Sequence, residues 1–425
     1  MSGKSSPSNR VSDIHLAENA SLSRKSSTAE ELESEPSKTG FPEDKEQTTN
    51  IGVAVFRLTV ASVCGVIFGI ALEKTRVFEP VVIRQQMVFE NFIMLKVFLA
   101  AVASGQLCFV VLAAIPKTRP YFDDAIHDFI SCLREKGILT SILGPIILGI
   151  GMTMAGSCPG MILAQIGAWV PNAIFSLLGV FLGALSYGLL DPFLSRLTKP
   201  KTAYTWTHVH TSLDKPYVAL ALPMALLMTV IVVLIEWFWP WNKDLVSIGR
   251  ENPAGVNIVT AVSWPPYATG IIVGLLQLPL VLVVKDTIGG SSSYVTIVSQ
   301  WVITDKLSRT FPYLANKRSG VGNWWQVFFV SFVVLGACLS GVASDTLTTS
   351  KGPQLPVAFF GGFLLLFGAR LGAGCTSGHG LSGMGLLAWL SFIAVPAMFA
   401  GGISTAFAMQ ATGALDQYVQ HTGAV

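Results

Sequence analysis

The chain has 425 residues, of which 51% are hydrophobic and only 12% are charged, whereas soluble domains average about 25% charged residues. The formal net charge is +3, but residues 1–50 carry a net −3 and the remaining residues a net +6. This balance excludes a soluble globular enzyme, a disordered chain and a nucleic-acid-binding protein with a basic domain. The apolar runs that recur from Ile51 onward predict an all-α, polytopic membrane protein.

The first 50 residues differ in composition from the rest of the chain. They contain 15 Ser/Thr and nine Asp/Glu residues and almost no aromatic residues. Such a segment cannot bury enough apolar surface to offset the entropy of ordering it. We therefore expect residues 1–50 to form a disordered cytosolic tail.

Nine segments are long enough to cross a bilayer, which takes about 20 apolar residues as a helix. They lie near residues 51–72, 92–115, 138–156, 172–190, 217–239, 265–284, 324–343, 355–373 and 391–411. Four other apolar pieces are too short to span and predict interfacial or re-entrant helices, near residues 77–90, 159–169, 288–303 and 378–388.

The basic residues between the spans indicate the orientation. The connections 116–137, 191–216 and 285–323 carry 13 Lys/Arg residues, and those on the other side carry six. Because cytoplasmic loops are enriched in Lys and Arg, we expect the N-terminus in the cytosol, the C-terminus outside, and a multi-pass protein of the plasma membrane.

Two sequence blocks recur in the same order. Gly65-Val-Ile-Phe-Gly69 matches Gly270-Ile-Ile-Val-Gly274, and the block from Gly151 to Cys158 matches the block from Gly368 to Cys375. Each half then reads as four spans, with a further span linking the halves. An odd number of crossings between equivalent elements predicts two inverted repeats, an arrangement found in transporters with midplane substrate sites.

The repeat predicts the organisation of the whole chain. We expect a tail at 1–50, a first membrane repeat at 51–195 and a linker with the connecting span at 196–263. A second membrane repeat follows at 264–412, and a C-terminal tail at 413–425.

Cysteines stand at both predicted helix breaks. Gly156-Ser-Cys-Pro-Gly160 interrupts one apolar stretch and places Cys158 at the start of a new helix, with Pro159 suited to its first turn. The glycine-rich block around Cys375 does the same, with Thr376 or Ser377 as a candidate cap. Free N–H groups at such helix starts attract anions. The alternative is that the glycines only permit close helix packing.

These two blocks, Gly-Ser-Cys-Pro-Gly and Gly-Ala-Gly-Cys-Thr-Ser-Gly-His-Gly, resemble those of the YeeE/YedE family of sulfur-transport membrane proteins. The resemblance covers roughly residues 51–411. It implies an inverted-repeat fold with an hourglass-shaped path and the uptake of thiosulfate. It also implies that Cys158 and Cys375 engage the sulfur anion at the constriction.

Further candidate residues surround the two cysteines. We expect the anion to come close to the backbone at Gly160 and Gly378. Thr376, Ser377 and Ser292, the last within the patch Ser291–Tyr294, are expected to offer hydroxyl donors. Arg370 either attracts the anion, at most over a long range, or pairs with a carboxylate. His379 either donates to the substrate or holds the re-entrant loop in place. The other cysteines in the chain are expected to be inert, buried thiols.

Other charges lie near the ends of spans. We expect Arg57 and Lys96 to extend their side chains towards the membrane surface. Glu73, Lys74, Arg76 and Arg84 either form a basic entrance on the outer face or pair with one another.

The sequence contains no metal-binding pattern and no phosphate-binding loop, so we expect no metal, no cofactor and no ATP hydrolysis. The chain is predicted to be a transporter, not an enzyme, of a small sulfur-containing anion, with the lipid bilayer as its surroundings and no nucleic acid partner. Two alternatives remain open, a membrane-embedded thiol oxidoreductase or sulfurtransferase, and a scaffold subunit.

Overall fold

The computed structural model describes residues 51–134, 137–198, 207–253 and 255–420. The predicted tail at 1–50 and the end of the predicted C-terminal tail, 421–425, lie outside these ranges, as does the side chain of Cys132. The described chain is almost entirely helical. Its strands are two short antiparallel partners, β1 (Gly352–Pro353) and β2 (Tyr418–Val419).

Nine long helical segments occupy the predicted spans. They are α1 (Ile51–Lys74), α3 (Ile93–Ala114), α5 (Ile138–Ala155), α7 (Ala173–Thr198), α9 (Tyr217–Phe238), α11 (Pro266–Val284), α15 (Val321–Ala343), α16 (Leu355–Leu371) and α18 (Trp389–Ala411). Eight of these described helices are long and apolar enough to cross a membrane, and the number is nine if α16 and the segment after it, bent by 45°, form one broken span. The all-α, polytopic prediction is confirmed.

Short helices lie at the four predicted re-entrant positions. They are α2 (Pro80–Met87), α6 (Met161–Gly167), α12 (Ser291–Val302) and α17 (Thr376–Gly383), the last of which is π-helical. The other short helices are α4 (Arg119–Arg134), α8 (Val209–Ser212), α10 (Trp241–Ser247), α13 (Asp305–Ser308) and α14 (Pro312–Asn316). Sequence reasoning placed these last five in loops.

The long helices pack in pairs, and each pair between the two halves has an equivalent pair when the halves are interchanged. Helix α1 packs against α15, and its counterpart α11 packs against α3. Likewise α7 packs against α16, and α18 packs against α5, while α5 and α16 pack against each other. The linking helix α9 stands outside this set and packs against α3.

Glycines let these pairs approach closely. A side chain at Gly151 of α5 would place its Cβ 2.3 Å from the backbone nitrogen of Leu365 in α16, and one at Gly144 would lie 2.3 Å from that of Gly372. The motif glycines Gly65 and Gly270 face backbone carbonyls of α15 and α3 in the same way. Without a hydrophobic driving force between helices in lipid, such close backbone contact provides much of the association energy. The glycines near the cysteine motifs therefore do serve helix packing.

The acidic and basic residues at the end of α1 pair with one another. Arg76 lies 2.7 Å from Glu73 and 2.6 Å from Glu79, and all three are buried. Lys74 donates to the carbonyls of Val259 and Ala261. Of the two alternatives drawn from the sequence, local pairing is the one observed.

Lys96 does not extend to the membrane surface, and that expectation is wrong. Its side chain is fully buried, with Nζ 3.0 Å from Asp244 and 2.9 Å from Glu236. Helix α10 supplies Asp244 and α9 supplies Glu236, so the cation joins the linking span to the first half. Sequence reasoning missed this because α10 was not predicted.

Candidate functional site

The first helix break follows α5. Gly156 ends that helix with a left-handed backbone (φ 58°), a conformation that favours glycine. A Cβ at Gly156 would lie 2.5 Å from Pro80, so the break also packs tightly on the start of α2. Residues 157–160 then run without helical structure to α6, and Cys158 is 9% exposed within them.

The start of α6 differs from the prediction. The helix begins at Met161, so Pro159 lies in the turn before it. The N–H groups of Met161 and Ile162 both donate to the carbonyl of Cys158, at 2.9 and 3.1 Å. These two groups are therefore engaged by the backbone of the first helical turn. The Cys158 thiol itself lies against the N–H groups of Gly160 and Met161.

The second break follows α16, and Cys375 is the N-cap residue of α17, the short helix after the break. No side chain caps α17, so neither Thr376 nor Ser377 has the predicted capping role. The Ser377 hydroxyl lies 3.2 Å from the Cys375 sulfur instead. The Thr376 hydroxyl points at the sulfur of Met398, 3.4 Å away. The thiol of Cys375 also has the Gly378 N–H within hydrogen-bonding reach.

Arg370 lies beside this second cysteine and contacts the start of α12. Its Nη1 donates to the Ser292 hydroxyl at 3.0 Å, and its Nη2 donates to the Ser291 hydroxyl. Among the described residues no carboxylate forms a salt bridge with it, although its side chain is only 7% exposed. The alternative in which Arg370 pairs with a carboxylate is not observed. Its Nε is buried and has no hydrogen-bond partner.

Tyr294 connects the two breaks. It belongs to α12 in the second half, and its hydroxyl donates to the carbonyl of Pro159 in the first half. Both thiols, of Cys158 and of Cys375, are close enough to interact with it and with each other electrostatically. The structure therefore brings Cys158, Cys375, Arg370 and the start of α12 to one place in the bundle.

The predicted glycines border open space at this place. A Cβ at Gly160 would meet only the ring of Phe68, at 3.7 Å, and one at Gly378 would meet only the Cys375 sulfur, at 3.8 Å. Unlike Gly151, neither glycine is required by helix packing. Both are half-buried, as are Ser292, Thr376 and Ser377.

His379 holds the re-entrant loop. One ring nitrogen, Nε2, lies 2.9 Å from the carbonyl of Gly372, and the other, Nδ1, lies 3.2 Å from the hydroxyl of Ser391. The side chain is 3% exposed. Because both nitrogens already contact protein groups, this geometry favours the structural alternative for His379 over contact with a substrate.

An apolar groove lies elsewhere in the bundle. A groove of about 870 Å³ runs between α3, α9 and α11 and is lined almost entirely by apolar side chains. Neither motif cysteine lines it. The volume of a groove therefore does not identify the polar site in this bundle. A groove between membrane spans can be large and apolar because it faces the outside of the bundle.

Two residues at the site carried little signal in the sequence. Tyr294 was named only as part of a hydroxyl-bearing patch, and its contact with Pro159 spans 135 residues. Tyr313 was not considered, yet its hydroxyl lies within hydrogen-bonding reach of Arg370. It comes from α14, a five-residue helix within a predicted loop.

Comparisons with known proteins identify the family of the chain. A family model described as sulphur transport matches residues 74–404. A protein from Escherichia coli named thiosulfate transporter TsuA is 22% identical over 282 residues, which cover 62% of this chain and 72% of that protein. Its namesake from Spirochaeta thermophila is 22% identical over 346 residues, which cover 78% of this chain and 92% of that protein. These relatives are transporters rather than enzymes, so the thiol oxidoreductase alternative is not favoured.

Proposed function

The chain belongs to the sulphur transport family of membrane proteins, and on that basis we propose that it carries thiosulfate across the bilayer through the gap between Cys158 and Cys375. The two relatives named thiosulfate transporters support this choice of anion. The observation that carries the proposal is Arg370, a buried cation beside Cys375 without a carboxylate partner in the described chain.

An anion would complete the environment of Arg370. A buried charge without a counter-charge costs several kcal/mol, and the two serine hydroxyls offset only part of that cost. The free Nε adds a donor that no protein group uses. Thiosulfate would place an oxyanion group against the guanidinium, so Arg370 acts more directly than the long-range attraction expected from the sequence.

The cysteines suit the sulfur end of the same anion. A neutral thiol is a weak donor, and the Cys375 thiol is already surrounded by donors from Ser377 and Gly378. Weak donors hold an anion without trapping it, which passage through a site requires. Cys158 offers a second thiol across the gap, so the anion passes between the two halves of the molecule.

The packing of the long helices supports two equivalent halves, as the predicted repeats require. Each pair between the halves has a counterpart under their exchange. We propose that the halves have opposite orientations in the membrane, with the N-terminus in the cytosol and the protein in the plasma membrane. The excess of Lys and Arg in the connections assigned to the cytosol supports this orientation.

Uptake of ³⁵S-thiosulfate into proteoliposomes that hold the full chain tests the proposal. We expect uptake above that of protein-free liposomes, reduced by unlabelled thiosulfate and much less by sulfate, which lacks the terminal sulfur. Equal competition by the two anions would show that the thiols do not recognise sulfur. Uptake no greater than that of protein-free liposomes would contradict the proposal.

A further inference from the structure

Tyr294 links the start of α12 to the first helix break. Its side chain is 1% exposed, and its ring packs edge-on against Phe181, with 5.9 Å between ring centroids. The hydroxyl donates to the Pro159 carbonyl, next to Cys158, and the residue also lies within electrostatic range of the Cys375 thiol. An anion on the proposed path between the two cysteines therefore comes close to this side chain.

The two short helices in equivalent positions, α2 and α12, are held by different groups. Arg84 anchors α2 through backbone carbonyls of Thr153, Met154, Leu415 and Gln417. The first turn of α12 is held by side-chain hydroxyls, that of Tyr294 on the Pro159 carbonyl and those of Ser291 and Ser292 on Arg370. An anion that binds Arg370 therefore competes with two of the contacts that hold α12.

The residues that precede α12 allow it to turn. A Cβ at Gly289 would meet nothing closer than 4.0 Å, and the nearest atom is the carbonyl of Thr287. No packing contact therefore requires glycine there. Glycine has more backbone freedom than any other residue, and Gly290 extends that freedom to the N-cap of α12.

Arg370 connects this movable helix with the anion site. Its guanidinium holds Ser291 and Ser292, the first two residues of α12. An anion forms stronger, charge-assisted hydrogen bonds with a guanidinium than neutral hydroxyls do. An anion that reaches Arg370 therefore displaces the serines and releases the start of α12.

We propose that Tyr294 is the gate of the path and a specificity-determining residue for the anion. The phenol closes the gap between Cys158 and Cys375 while Arg370 holds Ser291 and Ser292. The arriving anion takes over the guanidinium, α12 turns about Gly289 and Gly290, and the hydroxyl leaves the Pro159 carbonyl. This inference rests on the proposed function, because thiosulfate is the anion that opens the gate.

The test compares Tyr294→Phe with Tyr217→Phe in the full chain. Tyr217 is a matched control, since its buried hydroxyl also donates to a distant backbone carbonyl, that of Gly385 at 2.6 Å. Two readouts are used, efflux of ³⁵S-sulfate from proteoliposomes and modification of each cysteine by a water-soluble maleimide, located by mass spectrometry. Neither readout requires that thiosulfate be the natural substrate.

We expect Tyr294→Phe to raise sulfate efflux and the modification of Cys158 and Cys375 about two- to tenfold, the effect of one lost hydrogen bond on a closed–open equilibrium. Tyr294→Ala raises both further, and Tyr217→Phe raises neither. If Tyr294→Phe matches Tyr217→Phe in both readouts while the wild type takes up thiosulfate, the gate is wrong and the proposed function stands. If modification rises but the wild type takes up no thiosulfate, the gate stands and the proposed substrate is wrong.

Gly289→Ala tests the proposed hinge with a variant that should leave the packing contacts of the folded protein unchanged. The methyl group fits the closed structure, so the amount of folded protein should match that of Gly322→Ala, a control at an exposed glycine of α15 with nothing within 4 Å. We expect thiosulfate uptake to slow in Gly289→Ala and not in Gly322→Ala. Equal uptake by the two variants would contradict the hinge.

Discussion

The guanidinium of Arg370 donates to the hydroxyl of Ser292 across 3.0 Å, and the two residues are 78 positions apart in the chain. This bond joins the end of α16 to the start of α12, so it links the second helix break to a re-entrant helix. Arg370 has no salt-bridge partner among the described carboxylates. A neutral hydroxyl thus occupies the position next to a buried cation, where an anion binds more strongly.

Replacing Arg370 tests this arrangement. Arg370→Lys keeps the charge but places its three donors on a single nitrogen, which cannot reproduce the planar fork that a guanidinium presents to two serines and an anion. We expect thiosulfate uptake to fall at least about tenfold, the effect of roughly 1.4 kcal/mol of lost binding, and Arg370→Gln to abolish it. Arg57→Lys, on the part-exposed side of α1, is the control. Near-normal uptake by Arg370→Lys would show that Arg370 does not bind the anion directly and attracts it only over a long range.

The two motif cysteines should behave differently from the others. Cys158→Ser and Cys375→Ser replace sulfur with a smaller, harder donor, and we expect thiosulfate uptake to fall sharply with an unchanged yield of folded protein. Cys64→Ser and Cys338→Ser, which lie in α1 and α15 outside the breaks, should keep normal uptake. Uptake is measured in proteoliposomes at equal protein content. Similar losses in all four variants would mean that the thiols serve packing only.

Enlarging the glycines at the gap should block passage without unfolding the protein. Gly160→Val and Gly378→Val place methyl groups in space that holds no other atom within 3.7 Å of the new Cβ. We expect loss of thiosulfate uptake with a normal size-exclusion profile. Gly322→Val is the control at an exposed position. If the two gap variants transport normally, the anion passes by another route.

Lys96 provides a test of stability. Lys96→Met leaves Asp244 and Glu236 without their buried cation. Breaking a buried ion pair costs about 3–5 kcal/mol, so we expect a clear drop in the thermal unfolding temperature in detergent. Adding Asp244→Asn to this variant removes one of the orphaned charges and should restore part of the loss. An unchanged unfolding temperature in Lys96→Met would contradict this role.

The nine spans predicted from the sequence have a direct consequence for topology. Reporters fused to the N-terminus and to the C-terminus should lie on opposite sides of the membrane, with the N-terminus in the cytosol. Accessibility of each reporter in intact cells measures this. Finding both reporters on one side would contradict the linking span and the inverted orientation of the halves.

Element positions were readable from the sequence because a bilayer imposes a length and a composition on each span. The nine predicted spans agree with α1, α3, α5, α7, α9, α11, α15, α16 and α18 to within a few residues, except that α7 continues to Thr198 beyond its predicted end at residue 190. The two broken helices were also predicted, since Gly156 and Pro159 and the glycines around Cys375 cannot continue a regular helix. The inverted orientation of the halves stays a prediction.

The contacts that define the site were decided by tertiary structure alone. Nothing local to Arg370 indicates that its partners are Ser291 and Ser292, and nothing local to Tyr294 indicates Pro159. The same holds for Lys96, whose expected exposure was wrong because Asp244 comes from a helix 148 residues away in the chain. Sequence periodicity and composition determine which segments must be helices in lipid. Which polar side chains meet inside the bundle depends on how those helices pack, because a buried polar group is stable only where another element supplies its partner.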